Sequence, residues 1–119
     1  YDRMLSVFDG LGLDEVEMDL SVTLLVDYVR GAVRNEVRAR QVARDTGQSD
    51  EEWWREVGPV LAQVDLTPWP FATHVGAVVG ELYGTGDPER AFAFGLDRIL
   101  DGLDTLIARR GGFEPRRQD

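Results

Sequence analysis

Cysteine is absent from this sequence of 119 residues, and histidine occurs once. The lack of cysteine excludes disulfides, thiolate metal sites and cysteine nucleophiles, and it fits a reducing compartment. No apolar run approaches the roughly 18 residues that span a bilayer, and no signal-peptide pattern opens the chain. No Gly-x-Ser-x-Gly nucleophile motif is present either. We therefore expect a cytoplasmic protein that is neither an enzyme nor a membrane protein and that needs no cofactor.

Positive charge is also scarce, because 13 lysine and arginine residues stand against 22 aspartate and glutamate residues. The formal net charge of -9 should repel this chain from phosphate backbones and from anionic membranes. The chain alone is therefore not expected to bind DNA. Its hydrophobic fraction of 43% is sufficient for one core, and its length is that of one domain.

Strand-pairing signals, internal repeats and low-complexity tracts are missing, and the apolar residues recur with helical spacing. A short helix is predicted over residues 2–9, where GLGL ends it. One long helix is predicted from Asp14 to about Asp45, because no turn signal interrupts this stretch despite its β-branched run SVTLLVDYV. The predicted fold class is all-α, a helical bundle.

Two shorter helices are predicted between the long helix and the last one. The letters SDEE form a capping box in which Ser49 caps the helix and Glu52 reciprocates. Pro59 is expected to bend that helix or restart it. For the next helix, Thr67 is the predicted cap, and Pro68 is predicted to occupy the first helical position.

The long helix carries apolar residues on two opposite sides. One stripe consists of Val16, Leu20, Leu24, Tyr28 and Gly31, and the other of Met18, Val22, Leu25, Val26, Val29, Val33 and Val37. A helix at the surface of one subunit has a single such stripe. A helix with two stripes packs between layers, either inside a monomer or between its own core and a partner. Because few other helices are available to cover it, we expect a partner.

The last helix, AFAFGLDRILDGLDTLIARR, has a strip almost without side chains beside its apolar face. Ala91, Gly95 and Gly102 form this strip, although each interior glycine costs a helix about 1 kcal/mol relative to alanine. The glycines either let a second backbone approach or accommodate a bulky residue of the same chain. We expect the first, with two helices from each of two chains forming a four-helix bundle. Residues 111–119 are predicted to be a flexible tail.

The segment AFAFGLDRILDGLDTLIAR resembles the closing helix of the regulatory domain of tetracycline-repressor (TetR) family regulators, where Phe-x-Phe-Gly-Leu-x-x-x-Leu-x-Gly is common. LSVTLLVDYVRGAVRNEVRARQ is similar to the penultimate, dimerising helix of that family. SDEEWWREVGPVLAQVDLTPWPFATHVGAV is similar to the variable insert between the two helices. The resemblance covers most of residues 1–110 and implies a C-terminal regulatory domain that forms a homodimer.

The resemblance also implies which residues lie on or near the dimer surface. On the last helix they are Phe92, Phe94, Gly95, Arg98, Ile99, Gly102 and Leu103, and on the long helix they are Leu25, Val29 and Val33. Family members carry a basic helix-turn-helix domain before the regulatory domain, and nothing in this sequence corresponds to it. The chain also begins without an initiator methionine. We expect the incomplete C-terminal portion of a longer repressor, whose absent domain binds operator DNA.

A small, mostly apolar effector is the other partner that the resemblance implies. Aromatic residues concentrate in the middle of the chain, where the family has part of its pocket wall. The predicted effector-binding residues are Tyr28, Arg34, Trp54, Trp69, Phe71 and His74. Pockets of this kind are apolar with a few placed polar groups, which Tyr28, Arg34 and His74 are expected to supply. Each of these residues alone is also compatible with core packing or a surface position.

Two further interpretations remain open. Asp97, Asp101 and Asp104 recur at a spacing that suits a hard cation, but we interpret them as a solvated helix face and predict no metal site. A helical adaptor that dimerises without any ligand is the alternative to an effector-binding domain. The two functions differ in whether a cavity exists behind the aromatic residues.

Overall fold

The computed structural model describes residues 1–84 and 86–111. Its elements, in chain order, are α1 (Asp2–Leu5), a 3-10 helix (Ser6–Phe8), α2 (Glu15–Thr46), α3 (Asp50–Leu61), α4 (Pro70–Tyr83) and α5 (Pro88–Arg109). These ranges contain no strand, which confirms the predicted all-α class. The tail predicted over residues 111–119 lies, after Gly111, outside the described residues.

The chain divides into two compact units. The first consists of residues 1–34 together with the chain from Glu89 onward, and the second consists of residues 35–88. Within the described ranges, no helix combines the length and the apolar character needed to cross a lipid bilayer.

The start of α2 is fixed by a reciprocal pair of hydrogen bonds. The Glu17 backbone N–H donates to Asp14 Oδ1 at 2.8 Å, and the Asp14 N–H donates to Glu17 Oε2 at 3.1 Å. Each bond satisfies a donor that the first helical turn leaves unpaired. The second carboxylate oxygen of Glu17 accepts from Arg110 Nε at 3.0 Å, and this bond raises the pKa of the Arg110 guanidinium. Glu17 therefore joins the beginning of α2 to the chain just beyond α5.

The predicted capping box is present at the start of α3. The Ser49 side chain accepts from the Glu52 N–H at 3.2 Å, and the Ser49 N–H donates to Glu52 Oε2 at 2.8 Å. The Ser49 N–H, followed by the Ser49 hydroxyl, holds the pKa of the Glu52 carboxyl below its usual value. Pro59 does not restart the helix, as α3 continues through it and ends at Leu61.

The predicted start of α4 was wrong. The helix begins at Pro70 with Trp69 as its N-cap, rather than at Pro68 with Thr67 as its cap. Thr67 instead turns back on the preceding loop, where its N–H and hydroxyl both donate to Asp65 Oδ1, at 3.0 and 2.5 Å. Proline disfavours the helical region for a residue directly before it. Trp69 precedes Pro70 and has φ -126° and ψ 64°, so it lies outside the helical region and the helix begins after it.

The core lies in the first unit and is small. Its buried hydrophobic residues are Phe8, Val22 and Leu103, one each from the 3-10 helix, α2 and α5. Partly buried residues surround this cluster, namely Leu5, Leu11, Leu13, Met18, Leu25, Val26 and Ile99. Burial of each large apolar side chain contributes about 1.5–3 kcal/mol, so three buried residues make the unit sensitive to every one of them.

Only part of the apolar surface of α2 is covered within the chain. Val22 is buried and Met18, Leu25 and Val26 are partly buried. On the opposite stripe, Val16, Leu20 and Leu24 are exposed. The later valines of the stripe that carries Val22 are exposed as well, namely Val29, Val33 and Val37. The described chain therefore does not place α2 between two of its own layers.

Candidate functional site

Tyr28 joins α2 to α5 through both its ring and its hydroxyl group. The ring stacks on Phe92 with a centroid separation of 5.5 Å and an interplanar angle of 20°. The hydroxyl donates to the backbone carbonyl of Phe92 at 2.8 Å and, at the longer distance of 3.3 Å, to that of Ala91. Because a phenol has one proton to donate, the polar tip of Tyr28 is engaged inside the chain.

Gly95 provides the space that this tyrosine occupies. A Cβ atom built on Gly95 would collide with the Tyr28 hydroxyl and lie 3.0 Å from the Cε2 atom of its ring. At Gly95, the glycine thus accommodates a bulky residue of the same chain. Gly102 differs, because no atom of the described residues lies within 4 Å of a Cβ placed there.

The predicted dimer residues fall into two groups in this structure. The inward group packs within the first unit and consists of Leu25, Phe92, Gly95, Ile99 and Leu103. The outward group is exposed and consists of Val29, Val33, Phe94, Arg98 and Gly102. Phe94 is the most exposed apolar member, at 64%. The outward group presents the more exposed surface to a second chain.

Arg98 contacts two neighbouring side chains on the exposed side of α5. Its guanidinium lies 5.2 Å from the centroid of the Phe94 ring and donates to Asp101 Oδ2 at 2.7 and 3.1 Å. Asp101, which belongs to the row of aspartates on this helix, is therefore paired with a cation. Among residues 1–84 and 86–111, no three histidine, aspartate or glutamate side chains form a group suited to a metal ion.

A cavity lies in the second unit, between the beginning of α3 and the end of α4. Its volume is about 700 Å³, and it is an open cleft, because most of the residues that line it are exposed. Trp54 packs across it, so that a Cβ on Gly80 would lie 3.0 Å from Trp54 Cζ2. The cavity is lined by Ser49, Asp50, Glu51, Trp54, Arg55, Gly80, Glu81, Leu82, Tyr83, Gly84 and Gly86.

The lining combines one aromatic face with charged groups at the rim. Arg55 pairs with Glu51 at 3.6 Å, and both side chains are largely exposed, so this pair adds little stability. Asp50 and Glu81 add two further carboxylates. Glycines at positions 80 and 84 lie one helical turn apart and leave room for the indole. Gly80 and Gly84, four residues apart, are the sequence signal that could have predicted a packing site for Trp54.

The predicted effector residues are only partly brought together. Trp54 lines the cavity and is half-buried, whereas Trp69, Phe71 and His74 are exposed and are not part of its lining. Phe71, at 87%, is the most exposed of them. Tyr28 and Arg34 belong to the first unit, where Tyr28 contacts α5 and Arg34 is exposed.

The order of elements is that of a helical regulatory domain, since a long helix and a closing helix share one core and shorter helices stand between them in the chain. Residues 1–107 match the profile of the tetracyclin repressor-like, C-terminal domain family. The chain belongs to this family, which confirms the resemblance seen in its closing and long helices.

The comparison with curated proteins finds a transcriptional repressor. The HTH-type transcriptional repressor DrrR1 of Streptomyces coeruleorubidus is 32% identical over 111 residues, which are 93% of this chain. The aligned part is 40% of the length of that repressor. No solved structure gives a significant match to the chain.

Proposed function

We propose that this chain is the effector-binding and dimerising domain of a transcriptional repressor rather than an enzyme. A separate helix-turn-helix domain of the same protein would bind operator DNA in the cytoplasm, and the acidic regulatory domain would set the spacing of two such domains. Membership of the family and the similarity to a named repressor support this function. The net charge of -9 is consistent with DNA binding by the separate helix-turn-helix domain and not by this chain.

The homodimer is proposed to form through the outward surface of α2 and α5. Val29, Val33 and Phe94 expose apolar side chains there, and Gly102 leaves the backbone of α5 uncovered. A glycine with open space above it permits close approach of a second helix, at the cost of local helix stability. The inward group, which includes Leu103, would shape this surface from beneath. The exposed glycine is the observation that carries the proposal.

Replacement of Gly102 by leucine is expected to weaken the homodimer at least about tenfold, because the new side chain would hold the two helices apart. The chain's own fold should be retained, since the space around Gly102 is open. Sedimentation equilibrium over a range of protein concentrations measures the dissociation constant.

Gly76 provides the matched control for this experiment. It is also a helical glycine with nothing in the described chain within 4 Å of an added Cβ, but it lies on α4. Gly76→Leu should leave the dimer unchanged. An equal effect of both variants, or a wild-type chain that is monomeric at all concentrations, would contradict the proposed surface.

The effector is proposed to bind at the cavity beside Trp54. Its size suits a small molecule, and the indole supplies the apolar wall that such sites need. Trp69, Phe71 and His74, together with Tyr28 and Arg34, remain part of the proposed effector-binding set. Of the three in the second unit, none lines the cavity. The cavity lies within residues 35–88, so this part of the proposal can be tested independently of the dimer.

Binding of the neutral apolar dye Nile red is expected to raise its fluorescence and to be weakened about fivefold or more in Trp54→Ala, because the variant removes the aromatic wall. Trp53→Ala is the control, since the neighbouring indole has its centroid 6.5 Å away and does not line the cavity. Equal affinities of the two variants would place the dye site elsewhere and would refute the proposed role of Trp54.

A further inference from the structure

The cavity beside Trp54 carries more negative than positive charge. Its acidic lining residues are Asp50, Glu51 and Glu81, and its basic lining residue is Arg55. Arg55 lies 3.6 Å from Glu51, so the charges of these two side chains largely cancel. Within residues 1–84 and 86–111, the carboxylates of Asp50 and Glu81 have no ion-pair partner. The cavity therefore has two carboxylates that no cation of the described chain neutralises.

Glu81 lies where its own helix disfavours a negative charge. It is in the last turn of α4, which ends at Tyr83 and has no basic residue in that turn. The C-terminal end of a helix carries a partial negative charge, which repels a carboxylate and attracts a cation. Asp50 is different, because it lies in the first turn of α3, where the helix dipole favours a carboxylate. A residue that breaks such a local rule is typical of a functional site.

Trp54 adds a surface that binds organic cations. Among aromatic side chains, the indole attracts a cation over its face most strongly. Trp54 contacts Gly80, the residue directly before Glu81, so the ring and the carboxylate belong to the same wall of the cavity. A metal ion suits this wall poorly, since hard cations require several oxygen ligands. No three acidic or histidine side chains of the described ranges form a group of that kind.

We propose that the effector of this cavity is a flat aromatic molecule with one positive charge. Its ring system stacks on Trp54, and its charge lies near Glu81, with a smaller contribution from Asp50. This inference rests on the proposed function, in which the cavity beside Trp54 binds the effector, and it adds the charge of that molecule. Because the lining carboxylates are exposed, the attraction is screened by salt.

Two dyes with the same fused-ring frame test the preference for charge. Nile blue carries one delocalised positive charge at neutral pH, whereas Nile red is neutral. The chain is expected to bind Nile blue at least about fivefold more tightly than Nile red at low ionic strength, and added salt should reduce this ratio. Glu81→Gln should weaken Nile blue binding about threefold or more and leave Nile red binding unchanged, because only the cation is attracted by the carboxylate. Fluorescence anisotropy measures both dissociation constants.

Glu56→Gln is the matched control. Glu56 is an exposed carboxylate of α3 that does not line the cavity, and its replacement removes the same charge from the chain. The variant therefore measures the general attraction of an acidic protein for a cationic dye. It should leave the affinities for both dyes close to those of the unmodified chain.

The dyes also separate a failure of this inference from a failure of the proposed site. The inference is overturned if Trp54→Ala weakens both dyes but Nile blue binds no more tightly than Nile red. It is equally overturned if Glu81→Gln and Glu56→Gln weaken Nile blue alike. In both cases the cavity stands as a site for an uncharged effector. If Trp54→Ala weakens neither dye more than Trp53→Ala does, both the proposed site and the inference are wrong.

Discussion

Gly95→Ala is expected to lower the free energy of unfolding by about 2 kcal/mol, although alanine is the better helix former by about 1 kcal/mol. The added methyl group would occupy the position of the Tyr28 hydroxyl. Tyr28 would then have to leave its place, losing the hydrogen bond to the Phe92 carbonyl and the stacking on the Phe92 ring. These two interactions contribute about 1 kcal/mol each, and the displaced ring leaves a gap in the packing of α2 on α5. Urea unfolding at fixed protein concentration measures the change.

Gly102→Ala is the matched control, because it makes the same substitution on the same helix where the space is open. It should stabilise the isolated chain by up to about 1 kcal/mol. A double variant with Tyr28→Ala should remove most of the penalty of Gly95→Ala, since nothing remains for the methyl group to displace. If Gly95→Ala and Gly102→Ala change the stability alike, the tyrosine is not what requires glycine at position 95.

The helices of this fold could be predicted because their signals are local. Ser49 and Glu52 mark the start of α3 by a capping box that spans four residues. The stretch between Asp14 and Asp45 contains no turn signal, and its length indicates a helix rather than a strand. The start of α4 also had a local signal, because Pro70 disfavours the helical region for Trp69. That error came from ranking a threonine cap above the steric effect of the second proline.

The role of Gly95 was not local and could not be predicted in the same way. The pattern showed that something approaches the strip of small residues on α5, but helical periodicity does not say whether the neighbour comes from the same chain or another. Tyr28 lies 67 positions earlier in the sequence. Its assignment to the apolar stripe of α2 contained no indication that its hydroxyl would bond to the carbonyls of α5.

The arrangement of the predicted effector-binding residues also could not be predicted from local sequence. Aromatic residues that are close in sequence were expected to share one wall, yet Trp54 faces the cavity on α3 whereas Phe71 is exposed on α4. Closeness in sequence does not say which aromatic side chain faces the neighbouring helix. That depends on the residues of the facing helix, and Trp54 packs where Gly80 carries no side chain.

Leu103→Ala is expected to have the largest effect on stability, a loss of about 3 kcal/mol within the 2–5 kcal/mol range for buried leucine. Leu103 is 9% exposed and is one of the buried residues of the core cluster with Phe8 and Val22. Its truncation removes methyl groups from this cluster and leaves a cavity that a small core cannot easily close. Thermal or urea unfolding at several protein concentrations measures the loss and shows whether it depends on association.

Leu100→Ala helps to separate the two roles of Leu103, as a core residue and as a residue near the dimer surface. Leu100 is on the same helix and is 45% exposed, so its truncation should cost less than about 1 kcal/mol. If Leu103 acts through the core, the loss of stability persists on dilution to monomer, and any additional loss at high protein concentration follows from the disturbed packing beneath α5. If instead the loss disappears on dilution to monomer, Leu103 contacts the partner directly, and the inward group belongs to the interface after all.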